Sequence, residues 1–258
     1  KACEFGMLAT VKIENMRKQH SAIVSDKQDK VAAPEKAEPT KKFGFVSVCM
    51  GNGIKETFTD LGVDSIIFGG QTMNPSTQDI IDGVNKTPAE VVFILPNNKN
   101  IYLVAVQASK LVKDKQVIVL ATRSVPQGIT ALLAFDPDGE TEANVSAMEE
   151  AITHVTSMSV THAVRDTTIE GQKIEDGQMI GLVDGSISCV ADDAESCVEK
   201  LTEKMIGASY ITLFYGEEVT EAQMQKAVDI ISTAVPTAEV ITINGGQPIY
   251  SYIISVEK

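Results

Sequence analysis

The stretch "SIIFGGQTMNPSTQDIIDGV", residues 65–84, contains one complete strand–loop–helix step and decides the fold. An apolar, β-branched run ends at Gly69-Gly70, a polar loop follows, and the next segment has helical periodicity. Asn74 can cap a helix that begins at Pro75, and Ser76 with Asp79 also has capping-box spacing. The stretch therefore predicts a buried strand that turns into a helix.

The same alternation recurs over residues 43–156. Short apolar runs predict strands at 43–50, 64–69, 89–96 and 116–121. Helical segments at 51–62, 100–112, 126–134 and 140–154 lie between and after these runs. Because nearly all-apolar strands separated by helices are typical of parallel sheets, we expect such a sheet with helices on both faces.

The pattern changes after residue 156. Residues 157–169 alternate between apolar and polar, and Asp184-Gly185 is a good hairpin turn. Helices are predicted at 192–206 and 220–234, and strands at 210–216, 238–245 and 249–257. The predicted fold class is therefore α/β with two subdomains, in which a mostly parallel sheet (43–156) is followed by a mixed α/β sandwich (157–258).

The first 42 residues have a different character. Residues 1–24 are predicted to form a helical tail of a preceding domain, and the charged, proline-containing residues 25–42 a flexible linker. The chain begins with Lys1 and contains neither a secretory signal nor a membrane-length apolar run. Its four cysteines include no C-x-x-C pair. We expect a cytoplasmic piece of a longer protein, with free thiols.

Acidic residues are concentrated in the second half of the chain. The net charge is −13, and residues 136–258 contain 22 acidic and 6 basic residues. Such a field disfavours nucleic acid and anionic lipid and favours a basic partner. It is also compatible with a role in solubility alone.

Polar loops follow three of the predicted parallel strands, at residues 69–77, 97–100 and 122–128. Because ligands bind at the carboxyl ends of parallel strands, these loops predict a ligand crevice. The alternative is that they only turn the chain. The sequence has neither a Walker phosphate loop nor a dinucleotide fingerprint. The candidate ligand residues are Gly69, Gly70, Gln71, Thr72, Asn74, Ser76, Asn97, Asn98 and Arg123.

Several of these segments resemble a known family. "FGGQTMNPSTQDI", "PNNKN", "TRSVPQG" and the terminal "NGGQPIYSYIISVE" are similar to the C-terminal domain of the ATP-binding component of fatty acid kinases, a group of dihydroxyacetone-kinase-like (DAK2-domain) proteins. The resemblance covers nearly the whole chain. It implies a domain related to DegV-type fatty-acid-binding proteins, in which Gln71, Pro75 and Ser76 partly match the loop around the fatty-acid carboxylate.

The resemblance further implies a division of labour in a longer parent protein. A missing N-terminal domain would bind ATP and Mg²⁺, and a missing central domain would carry catalytic Cys and His residues and form a homodimer. The present domain would dock a separate, basic fatty-acid-carrying protein through an acidic groove, so that the acyl carboxylate is phosphorylated. No cofactor, metal site, catalytic residue or kinase activity is expected in this piece alone.

The candidate partner-binding residues are Glu217, Glu218, Glu221, Asp166 and Glu170. For the three glutamates 217, 218 and 221 the alternative is a favourable interaction with the positive end of the following helix. A second function remains open, namely binding of a lipid or small ligand by the loops 69–77, 97–100 and 122–128. An independent hydrolase is disfavoured, because no G-x-S-x-G elbow is present and lone histidines such as His154 and His162 are usually structural.

Overall fold

The first sheet contains four parallel strands in the order β2–β1–β3–β4. The structure, a computed structural model, describes residues 37–70, 73–169 and 172–258. The strands are β1 (Lys41–Cys49), β2 (Ser65–Phe68), β3 (Ala89–Leu95) and β4 (Gln116–Val119). The prediction of a parallel sheet is confirmed.

Helices cover both faces of this sheet, as predicted. They are α1 (Asn52–Asp60), α2 (Thr77–Lys86), α3 (Lys99–Leu111), α4 (Val125–Leu133) and α5 (Thr141–His154). Because side chains alternate along a strand, Val46 and Val48 of β1 pack with α2 and α3. Phe43 and Phe45 pack on the other face with α1, α4 and α5, and the ring of Phe45 stacks on that of Phe93 with centroids 5.4 Å apart.

The second sheet is mixed and has six strands in the order β11–β10–β12–β5–β8–β9. The strands are β5 (Val155–His162), β8 (Met179–Val183), β9 (Ser186–Ala191), β10 (Tyr210–Tyr215), β11 (Glu239–Asn244) and β12 (Tyr250–Glu257). A separate pair, β6 (Thr167–Ile169) and β7 (Gln172–Ile174), follows β5. Asp184 and Gly185 have φ values of 49° and 81° and form the predicted hairpin turn between β8 and β9.

One face of the second sheet carries its own helices, and the other face packs against helices α1, α4 and α5 of the first sheet. The helices are α6 (Ala194–Leu201), a 3₁₀ turn (Thr202–Lys204) and α7 (Glu221–Ala234). On the opposite face, Phe214 and Ile253 pack in the same cluster as Phe93 and Met148. The second sheet begins close to the predicted boundary, but the two sheets share a core, and residues 37–258 form a single unit.

Two local predictions need correction. The predicted linker 25–42 extends too far, because Lys41 and Lys42 already belong to β1. The N–H of Thr40 donates to the carbonyl of Pro88 (2.9 Å), and Lys41 Nζ lies 2.6 Å from Asp64 Oδ1, which orders this segment. Residues 1–36, including the predicted helix 1–24, lie outside the described residues.

The second correction concerns the start of α2. Ser76, not Asn74, is the N-cap: the N–H of Asp79 donates to Ser76 Oγ (3.1 Å), and the N–H of Ser76 donates to Asp79 Oδ2 (2.8 Å). The Ser76 hydroxyl and backbone hydrogen bonds lower the pKa of the Asp79 carboxyl. A capping box satisfies two N–H groups, which a cap at Asn74 alone would not do.

None of the helices in the described part of the chain is long and apolar enough to cross a membrane.

Candidate functional site

A cavity of about 540 Å³ opens at the carboxyl ends of the parallel strands. Residues after β1, β2, β3 and β4 form one wall, and the face of the second sheet forms the other. This is the position at which open α/β sheets bind ligands, and the volume lies within the range of about 300–1,000 Å³ of small-molecule pockets. The predicted crevice is therefore present in the fold.

Asn97 joins the ends of three strands beneath the cavity. Its Nδ2 donates to Ser47 Oγ (2.9 Å) and to the carbonyl of Val48 (3.0 Å), and its N–H donates to Thr122 Oγ1 (3.1 Å). Its φ of 52° is in the left-handed region, which asparagine tolerates better than most residues. A Cβ at Gly128 would lie 2.2 Å from Asn97 Oδ1, so glycine is needed at that position.

Two serines connect the wall of the first sheet to the second. Ser124 caps α4, and its Oγ lies 2.5 Å from Ser157 Oγ on β5. The N–H of Ser157 donates to Asp184 Oδ1 (3.0 Å), and the N–H of Asp184 returns a bond to the carbonyl of Ser157 (2.7 Å). These bonds fix the β8–β9 turn at one side of the cavity.

Two glycine-rich turns, residues 51–53 and 244–247, pack against each other at another side of the cavity. The N–H groups of Gly53 and Ile54, in the first turn of α1, both donate to the carbonyl of Gly245 (3.1 and 3.2 Å). Gln247 is buried, and its Nε2 donates to the carbonyl of Phe214 (3.1 Å). Because the N–H groups of Gly53 and Ile54 are paired in this way, these two groups are not free to bind an anion.

The lining of the cavity combines apolar side chains with polar ones, two cations and one acidic residue, Asp184. Arg123 and Lys99 are exposed, and within the described residues the Arg123 guanidinium has no hydrogen-bond or ion-pair partner. Apolar lining comes from Val48, Ile101, Val125, Leu182, Ile249 and Ile253.

The described lining offers no activated nucleophile. Cys49 lines the cavity, but burial raises the pKa of its thiol to about 12, so the thiol stays protonated. His154 and His162 are both exposed, and neither lines the cavity. No group of three or more His, Cys, Asp or Glu side chains in the described ranges could hold a metal ion.

The predicted ligand residues divide into three groups. Gly69, Gly70, Asn97, Asn98 and Arg123 line the cavity. Asn74 and Ser76 lie outside the lining, and the Ser76 side chain is committed to the capping box. Gln71 and Thr72 fall outside the described residues.

Sequence reasoning missed the lining residues that come from the second sheet. Ser157, Leu182, Gln247 and Tyr250 reach the cavity only because β5, β8 and β12 are neighbours in space. Lys99 was missed as well, although it lies in the predicted loop 97–100. The "NGGQ" turn at 244–247 was the one local signal, since paired glycines permit close backbone approach.

A second feature is the accumulation of carboxylates at one end of the second sheet, here called the acidic end. At this end β5, β9 and β10 finish while β8 and β12 begin, as the pairs His162 with Met179 and Tyr215 with Tyr252 show. Its exposed carboxylates are Asp166, Asp176, Asp192, Asp193, Glu217, Glu218 and Glu221, and they outnumber the exposed cations at the same end, which include Arg165 beside Asp166 and Lys226 near Asp193. The opposite end has fewer carboxylates, namely Asp184, Glu203, Glu239 and Glu257, together with Lys204 and Lys258.

Contacts within the acidic end hold its turns together. The N–H of Asp176 donates to Asp166 Oδ1 (2.8 Å), and Gln178 Nε2 donates to Asp192 Oδ1 (3.2 Å). The N–H of Glu217 donates to the carbonyl of Gln247 (3.2 Å), so the acidic end adjoins the cavity.

The five candidate partner residues are placed as follows. Glu221 is the first residue of α7, where the helix dipole favours it. Glu217 and Glu218 precede the N-cap Thr220, and within the described chain their carboxylates make no hydrogen bond or ion pair. Asp166 lies at the same end, and Glu170 is outside the described residues. The helix dipole therefore explains Glu221 but not the other two glutamates.

Residues 44–257 match the FakA-like C-terminal family of fatty acid kinase proteins. The chain belongs to this family. It is 44% identical to Protein YloV of Bacillus subtilis (strain 168) over 259 aligned positions, which cover 99% of this chain and 46% of YloV. The chain thus spans about half the length of the curated relatives it matches.

Solved structures show the same fold for other proteins. The DegV family protein Cg2579 from Corynebacterium glutamicum has a TM-score of 0.63 at 12% identity and covers 84% of this chain and 96% of its own. The fatty acid kinase B3 protein of Streptococcus pneumoniae, solved loaded with linoleic acid, has a TM-score of 0.55 at 9% identity, with coverages of 84% and 99%. At these identities the likeness shows the fold alone.

Proposed function

We propose that this fatty acid kinase-related domain docks a fatty-acid-carrying protein through its acidic end. The observation that carries the proposal is the larger number of exposed carboxylates at one end of the second sheet than at the other. Clustered charge of one sign steers a partner of the other sign and fixes its orientation. The partner would therefore present a basic surface, while nucleic acid and anionic membranes would be repelled.

In this proposal the chemistry is supplied by the rest of a parent protein in the cytoplasm. That parent would bind ATP and Mg²⁺ in another domain, carry its own catalytic groups and form a homodimer outside this chain. The present domain would bring the carried acyl carboxylate to those groups. Family membership and the cavity at the carboxyl ends of the parallel strands support a binding role for this domain.

The docking proposal is tested by reversing charge at the acidic end. The double variant Glu217→Lys/Glu218→Lys changes two solvated carboxylates that have no structural partner within the described residues. We expect its affinity for a basic, oleate-loaded DegV-type protein, measured by titration calorimetry, to fall at least about tenfold, or about 1.4 kcal/mol. Because exposed charges are screened by salt, the difference should shrink between about 0.05 M and about 0.5 M NaCl.

A matched control separates local docking from net charge. Glu203→Lys/Glu239→Lys makes the same change in charge at the opposite end of the sheet, also on exposed residues. We expect this variant to bind the fatty-acid-carrying protein nearly as well as the unsubstituted domain does. Equal losses in both double variants, or no loss in either, would refute docking at the acidic end.

A second candidate function follows from the cavity. The apolar part of its lining, together with Arg123 and Lys99, suits a long-chain fatty acid, whose burial stabilises by about 0.8 kcal/mol per methylene. Native mass spectrometry of the protein mixed with oleate should then detect a one-to-one complex, and Arg123→Gln should weaken it. An unchanged mass in the presence of excess oleate would rule out this function without affecting the docking proposal.

A further inference from the structure

Cys189 and Cys197 lie side by side in the second sheet and its helix layer. Cys189 is on β9, Cys197 is on α6, and their Sγ atoms are 3.5 Å apart. Both are free thiols, and neither lines the cavity. Their spacing of eight residues matches no common sequence motif, so only the fold brings them together.

The backbone makes room for this pair at Gly181. This residue of β8 is the direct neighbour of Cys189 across the sheet. A Cβ at Gly181 would lie 2.5 Å from Cys189 Sγ and 2.9 Å from Cys197 Sγ. Any larger residue would fill the space in which the two sulfurs meet, so glycine permits their contact.

The two thiols differ in their chemistry. The hydrogen bond from Cys197 lowers the pKa of the Cys189 thiol to about 7 although burial opposes this, with further help from the Gly181 N–H and from Lys200. The same hydrogen bond and full burial raise the pKa of the Cys197 thiol. Cys189 is half-buried whereas Cys197 is fully buried, so Cys189 is the sulfur that a small molecule reaches first.

We propose that Cys189 and Cys197 form a thiol-modification site that takes low-molecular-weight disulfides and converts to an internal disulfide. The Cys189 thiolate attacks one sulfur of the disulfide, whose S–S bond breaks, and the first thiolate leaves with the bonding electron pair and takes up a proton. The Cys197 thiol loses its proton to solvent, and its sulfur then attacks Cys189 Sγ and expels the second thiolate. The protein pair is oxidised by two electrons, and the small disulfide is reduced to two thiols.

Bond formation would shorten the distance between the two sulfurs. A disulfide has a sulfur separation of about 2.05 Å, so the two Sγ atoms must approach each other by about 1.5 Å. Cys197 lies in the second turn of α6, a short helix that begins at Ala194, and Cys189 lies near the end of β9.

The test uses oxidised glutathione as the probe. The folded 258-residue chain is incubated with it, alkylated with iodoacetamide, digested without reductant and mapped by mass spectrometry. We expect a crosslinked peptide that joins Cys189 to Cys197, while Cys49, whose thiol is buried with its pKa raised to about 12, remains unmodified by glutathione. A Cys49→Ser variant should give the same crosslink.

Variants distinguish the cysteine that attacks the small disulfide from the cysteine that closes the internal disulfide. Cys197→Ser should accumulate a stable glutathione adduct at Cys189, and Cys189→Ser should give neither the adduct nor the crosslink at Cys197. In the unsubstituted protein, a glutathione adduct that persists on Cys189, or full alkylation of both thiols after oxidation, would overturn the proposal. The crosslink is mapped in the unsubstituted protein, so the test remains decisive even if a variant fails to fold.

Discussion

The contact between the turns 51–53 and 244–247 predicts that Gly53→Ala destabilises the protein. Gly53 is the second residue of α1, and replacing a glycine inside a helix by alanine ordinarily stabilises by about 0.5–1 kcal/mol. In this structure a Cβ at Gly53 would lie 1.7 Å from the carbonyl oxygen of Asn244. The obstacle is backbone, which cannot rotate away as the tip of a side chain can.

The size of the destabilisation follows from the hydrogen bonds between α1 and Gly245 that must break. Relief of the overlap moves α1 away from Gly245, whose carbonyl accepts from the N–H groups of Gly53 (3.1 Å) and Ile54 (3.2 Å). Each hydrogen bond contributes about 0.5–1.5 kcal/mol, and the buried Gly245 carbonyl would be left without a partner. After the gain in helix propensity is subtracted, we expect the free energy of unfolding to fall by about 1–2 kcal/mol.

Urea unfolding followed by circular dichroism measures this change as a lower midpoint with an unchanged slope. Gly83→Ala is the matched control: it is also a glycine inside a helix, and the nearest atoms to its Cβ would be side-chain atoms, Ile67 Cδ1 at 3.0 Å and Ser65 Oγ at 3.3 Å, rather than backbone. We expect the free energy of unfolding of the control to stay within about 0.5 kcal/mol of that of the unsubstituted protein. The reasoning fails if Gly53→Ala unfolds at the same or a higher urea concentration than Gly83→Ala.

Three further predictions concern the core, a helix cap and the cavity floor. Phe93→Ala removes a fully buried ring from the shared core and should cost about 3–5 kcal/mol in urea unfolding. Ser76→Ala should lower the free energy of unfolding by about 1 kcal/mol and raise the pKa of Asp79 in an NMR titration. The native pKa of Asp79 lies below the unfolded value of 3.8. The stabilisation by this carboxylate is therefore present above about pH 4 and is lost as the pH falls through the native pKa. Asn97→Ala should cost about 1–3 kcal/mol in thermal unfolding, because the buried carbonyl of Val48 loses its partner.

Local pattern was sufficient to predict most of the secondary structure. The strands of the first sheet are buried on both faces, so their apolar runs stand out, and Asp184-Gly185 has the left-handed backbone that its hairpin requires. The start of α2 was ambiguous because both Asn74 and Ser76 are good caps. Only Ser76 has an acidic partner three residues on, and that second hydrogen bond decided the boundary.

The candidate site could be predicted only on the side built by consecutive segments. Gly69, Asn97 and Arg123 each follow a parallel strand, so topology alone brings them to one edge. Ser157 and Gln247 reach the same cavity through the pairing of β5 with β12, which joins segments about 90 residues apart. Alternation within β5 predicts that one face is buried, but not which sheet covers it.

The placement of the acidic end beside the cavity connects the two proposed functions. Gln247 lines the cavity, and its carbonyl accepts from the N–H of Glu217, so a partner bound at the acidic end would lie against the turn that closes one side of the cavity. If docking alone matters, Arg123→Gln should leave partner affinity unchanged while Glu217→Lys/Glu218→Lys lowers it. If the cavity accepts part of the carried fatty acid, Arg123→Gln should weaken binding only of the loaded partner, because the empty partner presents no carboxylate to that cation. Comparing loaded with empty partner for both variants therefore separates a surface that recognises a protein from a surface that also recognises its cargo.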